Sequence, residues 1–402
     1  MNFLNTKNKT VYVLRLLFVA TVTGAICGFT GALFSKSIAF VTELRANYPW
    51  LIFLLPVGGL AIIGIYKLCK AEGKSTKTVL DSVHGNGQVS AGLLPSIFTG
   101  TVIGHFLGAS VGREGAALQI GGSISAVISK WFGNDEQSSR ILTVCGMGAT
   151  FSAVFGTPLG ACVFAIEVIR NVKFGLLSLF PTLISSLTAY GIAYLMGAPA
   201  ERFELHSVPA FEFSVLWRVF VVAVATGILG FMFCHLLNIS EHYTSKLIKN
   251  PYIRLFAGGV IIILLTMITK TTDYNGGGIF VVERVLETSS VIPFAFLLKI
   301  LFTVISDACG YKGGEIVPSF FIGATFGALV AGLIGLPVPF GATVGMAAIF
   351  GAVTNCPVAT CFICAEAIGI EGLPFFIIAA ISGTVVSGKI SLFHSASHEK
   401  SE

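Results

Sequence analysis

Between Val11 and Val386 the chain is a succession of apolar runs broken by glycine and proline, and this bounds the possible folds most tightly. The runs are Val11 to Phe40, Leu51 to Leu68, Leu94 to Val111, Ile141 to Ile169, Phe174 to Met196, Val215 to Leu237, Leu255 to Ile268, Val291 to Ile305, Phe320 to Phe350 and Phe375 to Val386. With 54% hydrophobic residues, 11% charged residues and a mean hydropathy of +0.86, a water-soluble surface cannot be assembled from these 402 residues. In a bilayer every backbone N–H and C=O must find an internal partner, which leaves helices or closed barrels. Runs of this length predict an all-α polytopic protein of on the order of fifteen segments, several too short to cross the bilayer. The first run is not closed by an A-x-A-like site and many spans follow, so it reads as retained rather than as a cleaved leader.

Lys7, Lys9 and Arg15 precede the first run and Lys67, Lys70, Lys74 and Lys77 follow the second, whereas the intervening turn carries only Arg45. This asymmetry predicts a cytoplasmic N-terminus and a cytoplasmic 67–81 loop. The net charge of +5 follows the same loops and points to topology, not to nucleic acid. Nine cysteines are scattered among apolar residues and read as small packing groups. Cys361 and Cys364 have redox spacing, but with no second pair or histidine nearby they do not suggest a metal, and no cofactor is expected.

The chain contains a duplication. Residues 146–167, GMGATFSAVFGTPLGACVFAIE, and 345–366, GMAAIFGAVTNCPVATCFICAE, are identical at nine of 22 positions without a gap, where this composition gives roughly two by chance. Pro158, Cys162 and Glu167 match Pro357, Cys361 and Glu366. A second stretch pairs Thr101 to Ile103 with Thr303 to Ile305, Gly108 with Gly310, Gly112 with Gly314 and Ile120 with Ile322. We read 1–402 as one transmembrane domain built from halves 11–197 and 215–394. The second half's counterpart of the Lys67 to Lys77 loop, near Lys270 to Gly278, is poorer in lysine, so the halves are expected to be inverted.

Each half presents glycines and an acidic residue before an apolar helix: VGREGAALQIGG (111–122) in the first and KGGEIVPSFFIG (312–323) in the second. Glycine-interrupted segments at matching places in two repeats point to a midplane site. A helix that starts inside the membrane leaves its first N–H groups unpaired and partially positive there. The loop VHGNGQV (83–89), with Asn86 between glycines, has the same form, and three such starts together would hold an anion. Glu114 could occupy the anion position when ionised and leave it when protonated, coupling proton and anion movement. The alternative is that Arg113 and Glu114 form a buried ion pair or cap a helix. Glu167 and Glu366 are expected to satisfy backbone groups or face water, His105 to be an interior histidine with satisfied bonds, and Arg170 and Lys173 to be interfacial charges.

These residues resemble the CLC family of anion channels and proton-coupled antiporters over nearly the whole chain. GNGQV stands where that family has GSGIP, GREGA where it has GREGP, GGEIVP where it has GxFxP, and SGKISLFHSA resembles its terminal GKxxY segment. The resemblance implies that Glu114 is the external gating glutamate, that the anion is held around Gly112, Arg113, Gly115, the amides near Ile316 and Val317, and the side chain at position 86, and that the protein is a homodimer with one pathway per subunit. Departures from the family narrow the expectation. Asn86 replaces a serine, Leu392 or Phe393 replaces the inner-gate phenol, Val168 replaces an inner proton-accepting glutamate, and Glu315 replaces an apolar residue before the anion-holding amides. The combination resembles the bacterial fluoride/proton antiporter branch, and implies an integral protein of a bacterial plasma membrane exchanging fluoride for protons. An amide offers two N–H donors where serine offers one O–H, which suits a small, strongly hydrated anion. Glu315 would then serve the proton route, or else cap a helix or pair with Lys312. Chloride or nitrate antiport and passive anion conduction remain open. No H-E-x-x-H, Ser/His pair or P-loop lysine favours an enzyme, and the convergent carboxylates of a cation route are missing.

Overall fold

The computed structural model describes residues 6–133, 135–169, 176–205 and 207–393. Arg170 and Lys173, and the chain after Phe393, lie outside them. Sixteen α-helices are found among the described residues, and they fall into two series of eight. The first is α1 (Thr6–Asn47), α2 (Leu55–Leu68), α3 (Thr76–Val83), α4 (Leu93–Leu107), α5 (Glu114–Trp131), α6 (Glu136–Phe155), α7 (Pro158–Glu167) and α8 (Leu176–Leu195). The second is α9 (Phe213–Leu247), α10 (Pro251–Thr269), α11 (Ile279–Thr288), α12 (Ala295–Cys309), α13 (Ile316–Ile334), α14 (Val338–Thr354), α15 (Pro357–Ala367) and α16 (Leu373–Ser387). Seven helical segments among the described residues are long and apolar enough to cross a bilayer, and α3, α7, α11 and α15 are far too short.

Packing repeats with the sequence. α5 lies on α6 as α13 lies on α14, and α1 packs on α6 and α8 as α9 packs on α14 and α16. Lipid offers little hydrophobic drive for helix association, so small residues that let backbones approach do that work. On the facing surfaces of α5 and α6, a methyl added to Gly121 would fall 2.0 Å from the Gly146 carbonyl oxygen, and on the facing surfaces of α13 and α14 a methyl on Gly323 would fall 2.5 Å from that of Gly345. These four glycines are the duplicated positions.

Two features tie the halves together across an internal two-fold axis. Gly112 N–H donates to Gly314 O (2.5 Å) and Gly314 N–H to Gly112 O (2.9 Å), an antiparallel pair between equivalent residues. The Glu167 carboxylate accepts the N–H groups of Val358 (3.1 Å) and Ala359 (2.7 Å) in the first turn of α15. Reciprocally, Glu366 accepts those of Leu159 (3.1 Å) and Gly160 (2.8 Å) in the first turn of α7. Each short helix starts on a proline, which has no N–H to satisfy, and is capped by the last glutamate of the other. The two repeats are therefore inverted, and both glutamates satisfy backbone groups of the opposite repeat.

Candidate anion site

The site lies where the two halves cross at Gly112 and Gly314. Glycine is required there because backbones touch: a methyl on Gly314 would lie 2.5 Å from the Gly115 nitrogen. α5 and α13 both start at this crossing, with Arg113 and Glu315 as their N-cap residues. The orphan amides of the first turns are those of Glu114, Gly115 and Ala116 in α5 and of Ile316 and Val317 in α13, where Pro318 has none. Gly112, Gly115, Ile316 and Val317 are thus brought together, all buried.

Glu114 is fully buried. Its Oε2 accepts the Arg113 N–H at 3.1 Å, and its Oε1 has no hydrogen-bond partner among the described residues. A methyl on Gly112 would be 3.0 Å from both Glu114 Oε2 and Pro318 Cδ, so the carboxylate occupies the notch between the two helix starts. A negative group in that notch is favoured by both helix dipoles.

Arg113 is oriented by more than its neighbour. Its Nε is 3.7 Å from Glu114 Oε1, outside hydrogen-bond range, while Nη1 donates to Ser35 Oγ (2.9 Å) and Nη2 to Glu201. Both alternatives read from the sequence are thus partly realised: Glu114 caps the Arg113 amide and makes a long ion contact with its guanidinium. The tighter partner, Glu201, was missed. It belongs to the segment after α8, pinned by Glu201 N–H to Phe155 O (3.0 Å) and Phe203 N–H to Ala367 O (2.8 Å). The only signal was that the linker APAERFE carries acidic residues, Glu201 and Glu204, and nothing in it singled out Glu201.

The third helix start differs from the expected one. Asn86 is exposed and follows the C-terminus of α3, its N–H bonded to Asp81 O (2.9 Å). Its flanking residues Gly85, Gly87 and Gln88 line a polar cleft with Ser129, Lys130 and Arg140 at the far end of α5. At 1.5 Å per residue that is about 23 Å from Glu114. A helix C-terminus offers carbonyls, so Asn86 is no part of an N–H cluster at the crossing. The opposite end of α3 arrives there: Thr76 Oγ1 donates to Gly115 O (3.3 Å) and accepts from Gln119 Nε2 (3.0 Å). The sequence signal was EGKSTKT, in which Gly73 has φ +70° and Ser75 is the N-cap of α3. By symmetry the glycine turn before α11 reaches α13, where a methyl on Gly277 would lie 2.9 Å from Val317 Cγ1. Lys299 holds that turn by donating to Tyr274 O (3.1 Å) and Gly276 O (2.6 Å).

Glu315 makes neither of the simple contacts expected for a structural residue. It is the N-cap of α13 without a side-chain cap bond, and among the described residues Lys312 makes no ion pair with it. Phe393 is part-buried with its ring 6.2 Å from that of Phe164, and Leu392 N–H bonds Val353 O at 2.8 Å. Phe164 packs in turn near Phe350 (5.7 Å), and Phe350 stacks on Phe320 of α13 (5.3 Å). An aromatic column therefore runs from Phe393 to the second turn of α13 in place of a phenol. His105 is an interior residue, its Nδ1 3.0 Å from Thr101 O.

Residues 58–388 match the profile of the voltage gated chloride channel family. The chain belongs to that family, the CLC proteins. Among relatives, the chloride/fluoride channel protein of Pseudomonas syringae pv. tomato is 30% identical over 390 residues, covering 95% of this chain and 86% of its own length. The H+/Cl− exchange transporter of Vibrio campbellii is 24% identical over 376 residues, covering 85% and 80%. Among solved structures, a CLC-type fluoride/proton antiporter matches with a TM-score of 0.90 and 27% identity, covering 94% of this chain and 97% of its own. CLC proteins are channels or transporters, not enzymes, and this CLC chain is an integral membrane protein.

Proposed function

We propose that this CLC protein exports fluoride in exchange for entering protons, with Glu114 as the shared gate. The observation that carries the reading is the buried Glu114 carboxylate lodged between the starts of α5 and α13, with one oxygen on an amide and the other unbonded. An anion that reaches this notch competes with the carboxylate for the same dipoles. Protonation removes the carboxylate's charge and with it the competition, so proton binding and anion binding alternate. Gly115, Ile316 and Val317 supply backbone donors, Gly112 gives its N–H to Gly314 O and so holds the two helix starts together rather than the anion, Arg113 contributes fixed charge balanced by Glu201, and Phe393 closes the inner aromatic column. Glu315, at the start of α13, takes the place of the missing inner glutamate as a proton station. The basic loops orient the N-terminus to the cytoplasm of a bacterial cell, and two subunits form a homodimer in the bilayer.

Fluoride is favoured over chloride by the likeness to the fluoride/proton antiporter at 27% identity and by Glu315, and no longer by Asn86; the Pseudomonas relative is named for both anions. Chloride/proton antiport is the second reading, favoured by the Vibrio relative. Efflux of fluoride and of chloride from proteoliposomes, with pH recorded alongside, separates them. Glu114→Gln is expected to abolish proton movement. A Glu114→Gln variant that still moves protons against a fluoride gradient would refute the assignment.

A further inference from the structure

A buried carboxamide adjoins the start of α5. Gln119 lies one turn beyond Gly115, and at this spacing its side chain shares a face with Gly115 and leans back toward the helix start. Its Nε2 donates to Thr76 Oγ1 at 3.0 Å, and Thr76 Oγ1 donates in turn to Gly115 O at 3.3 Å, so one hydroxyl separates the carboxamide from the first turn of α5. Across Gly115 runs the other repeat: a methyl there would lie 3.0 Å from Gly314 Cα. Gln119 is 4% exposed, and its Oε1 is buried with no hydrogen-bond partner among the described residues. The carboxamide that Asn86 does not bring to the crossing is thus present on α5.

A carbonyl oxygen buried without a donor loses its hydration and regains nothing, and beside the first-turn amides it would repel an anion. A half-turn of the terminal torsion, which has two nearly equivalent settings, exchanges the oxygen and the nitrogen. Oε1 then accepts the Thr76 O–H, which gives up only its long bond to Gly115 O, and the N–H groups stand where the bare oxygen stood. Buried N–H groups without an acceptor are no better than a bare oxygen, so this setting prevails only when an anion is present. Thr76 can serve both settings because a hydroxyl donates and accepts, whereas the neighbouring Thr78 Oγ1 is taken by the Ser75 N–H at 3.2 Å. Ser75 is exposed, Thr76 part-buried and Gln119 buried, and α3 follows the lysine-rich 67–81 loop, cytoplasmic by the basic-loop argument. The carboxamide therefore lies on the inner approach to Glu114.

We propose that Gln119 is an anion-binding residue of this transporter. As an anion arrives from the cytoplasm the carboxamide turns over, Thr76 holds its oxygen, and its N–H groups bind the anion beside the first turn of α5. This rests on the reading of the crossing as an anion site. The turn moves no charge and no proton, so Gln119 sets anion affinity and leaves proton coupling to Glu114. For a small, strongly hydrated anion such as fluoride, the N–H groups replace part of the water shell that is lost on entry.

The test is fluoride binding to the detergent-solubilised protein by titration calorimetry, with thermal melts run without fluoride and at saturation, for the wild type, Gln119→Met and Gln119→Glu. Methionine keeps the bulk of the side chain without an N–H, and glutamate keeps its shape with oxygens alone. Gln119→Met is expected to bind fluoride at least about tenfold more weakly, the lower end of what a hydrogen bond to a charged partner contributes. It should melt at the wild-type temperature without fluoride and gain less from its addition. Gln119→Glu should lose fluoride binding. A lower melt without fluoride at unchanged affinity would mark Gln119 as a packing residue and overturn the proposal, as would wild-type affinity in either variant. Should Gln119→Met not yield a monodisperse protein, Gln119→Glu decides the question. A wild type that binds chloride and not fluoride overturns the fluoride reading alone, and the same titrations with chloride then judge Gln119. A wild type that binds neither anion overturns both.

Discussion

The reciprocal caps joining α7 and α15 allow a quantitative test of whether Glu167 and Glu366 are structural or transport groups. In Glu366→Ala the N–H groups of Leu159 and Gly160 lose a carboxylate held at 3.1 and 2.8 Å. A hydrogen bond to a charged acceptor contributes about 1.5–3 kcal/mol net, but Leu159 is exposed and its N–H can find water. The Gly160 bond retains its full weight and that of Leu159 little, so the loss is about 2–3 kcal/mol. At roughly 2.1 cal/mol/K of unfolding entropy per residue, 402 residues correspond to about 0.8 kcal/mol/K, and the melting temperature should fall by about 2–4 °C. The assay is a thermal melt in detergent followed with a thiol-reactive dye, because Cys162 of α7 and Cys364 of α15 are both buried and free in the native protein. Glu167→Ala removes the equivalent bonds at Val358 and Ala359 and should cost a similar amount. A melting temperature unchanged in both variants, with fluoride transport altered instead, would refute the capping argument and make these glutamates transport residues.

Gly121→Ala and Gly323→Ala should each destabilise by several kcal/mol, about 2–4, because the new methyl meets a facing backbone carbonyl that cannot rotate away; an unchanged melt would refute that packing. Asn86→Ala should leave the ratio of fluoride to chloride efflux unchanged, since the side chain is exposed about 23 Å along α5 from Glu114; a shift in that ratio would return the residue to the site. Asp135, outside the apolar segments, caps α6 by accepting the Ser138 N–H at 2.9 Å. Partial burial works to raise its pKa, but the bonds from the Ser138 amide and hydroxyl outweigh it and hold the carboxyl below its usual range. A depressed pKa stabilises the fold above the ordinary carboxylate pKa and ceases to do so as pH falls through the folded value. Asp135→Ala should therefore lower stability by about 1 kcal/mol at neutral pH, and by less in acid, in melts run across pH.

The amino-acid sequence by itself determined the chemistry of the chain and its two-part plan. Long apolar runs oblige a helical membrane protein because lipid gives no partner to a bare peptide group, and the duplicated residues from Gly146 to Glu167 and Gly345 to Glu366 record the repeat directly. The place of Glu114 at a helix start was legible because an acidic residue flanked by glycines precedes an apolar run in each repeat. Tertiary structure alone decided which ends of the short helices meet. GNGQV and EGKST are both glycine-bearing loops, and only the packing of α3 on α5 brings Thr76 to Gly115 and leaves Asn86 at the far end. Glu201 at Arg113 and Glu366 on α7 are likewise pairings between distant segments. Sequence periodicity describes one helix at a time, whereas the partner of a buried charge is set by which other helix arrives beside it.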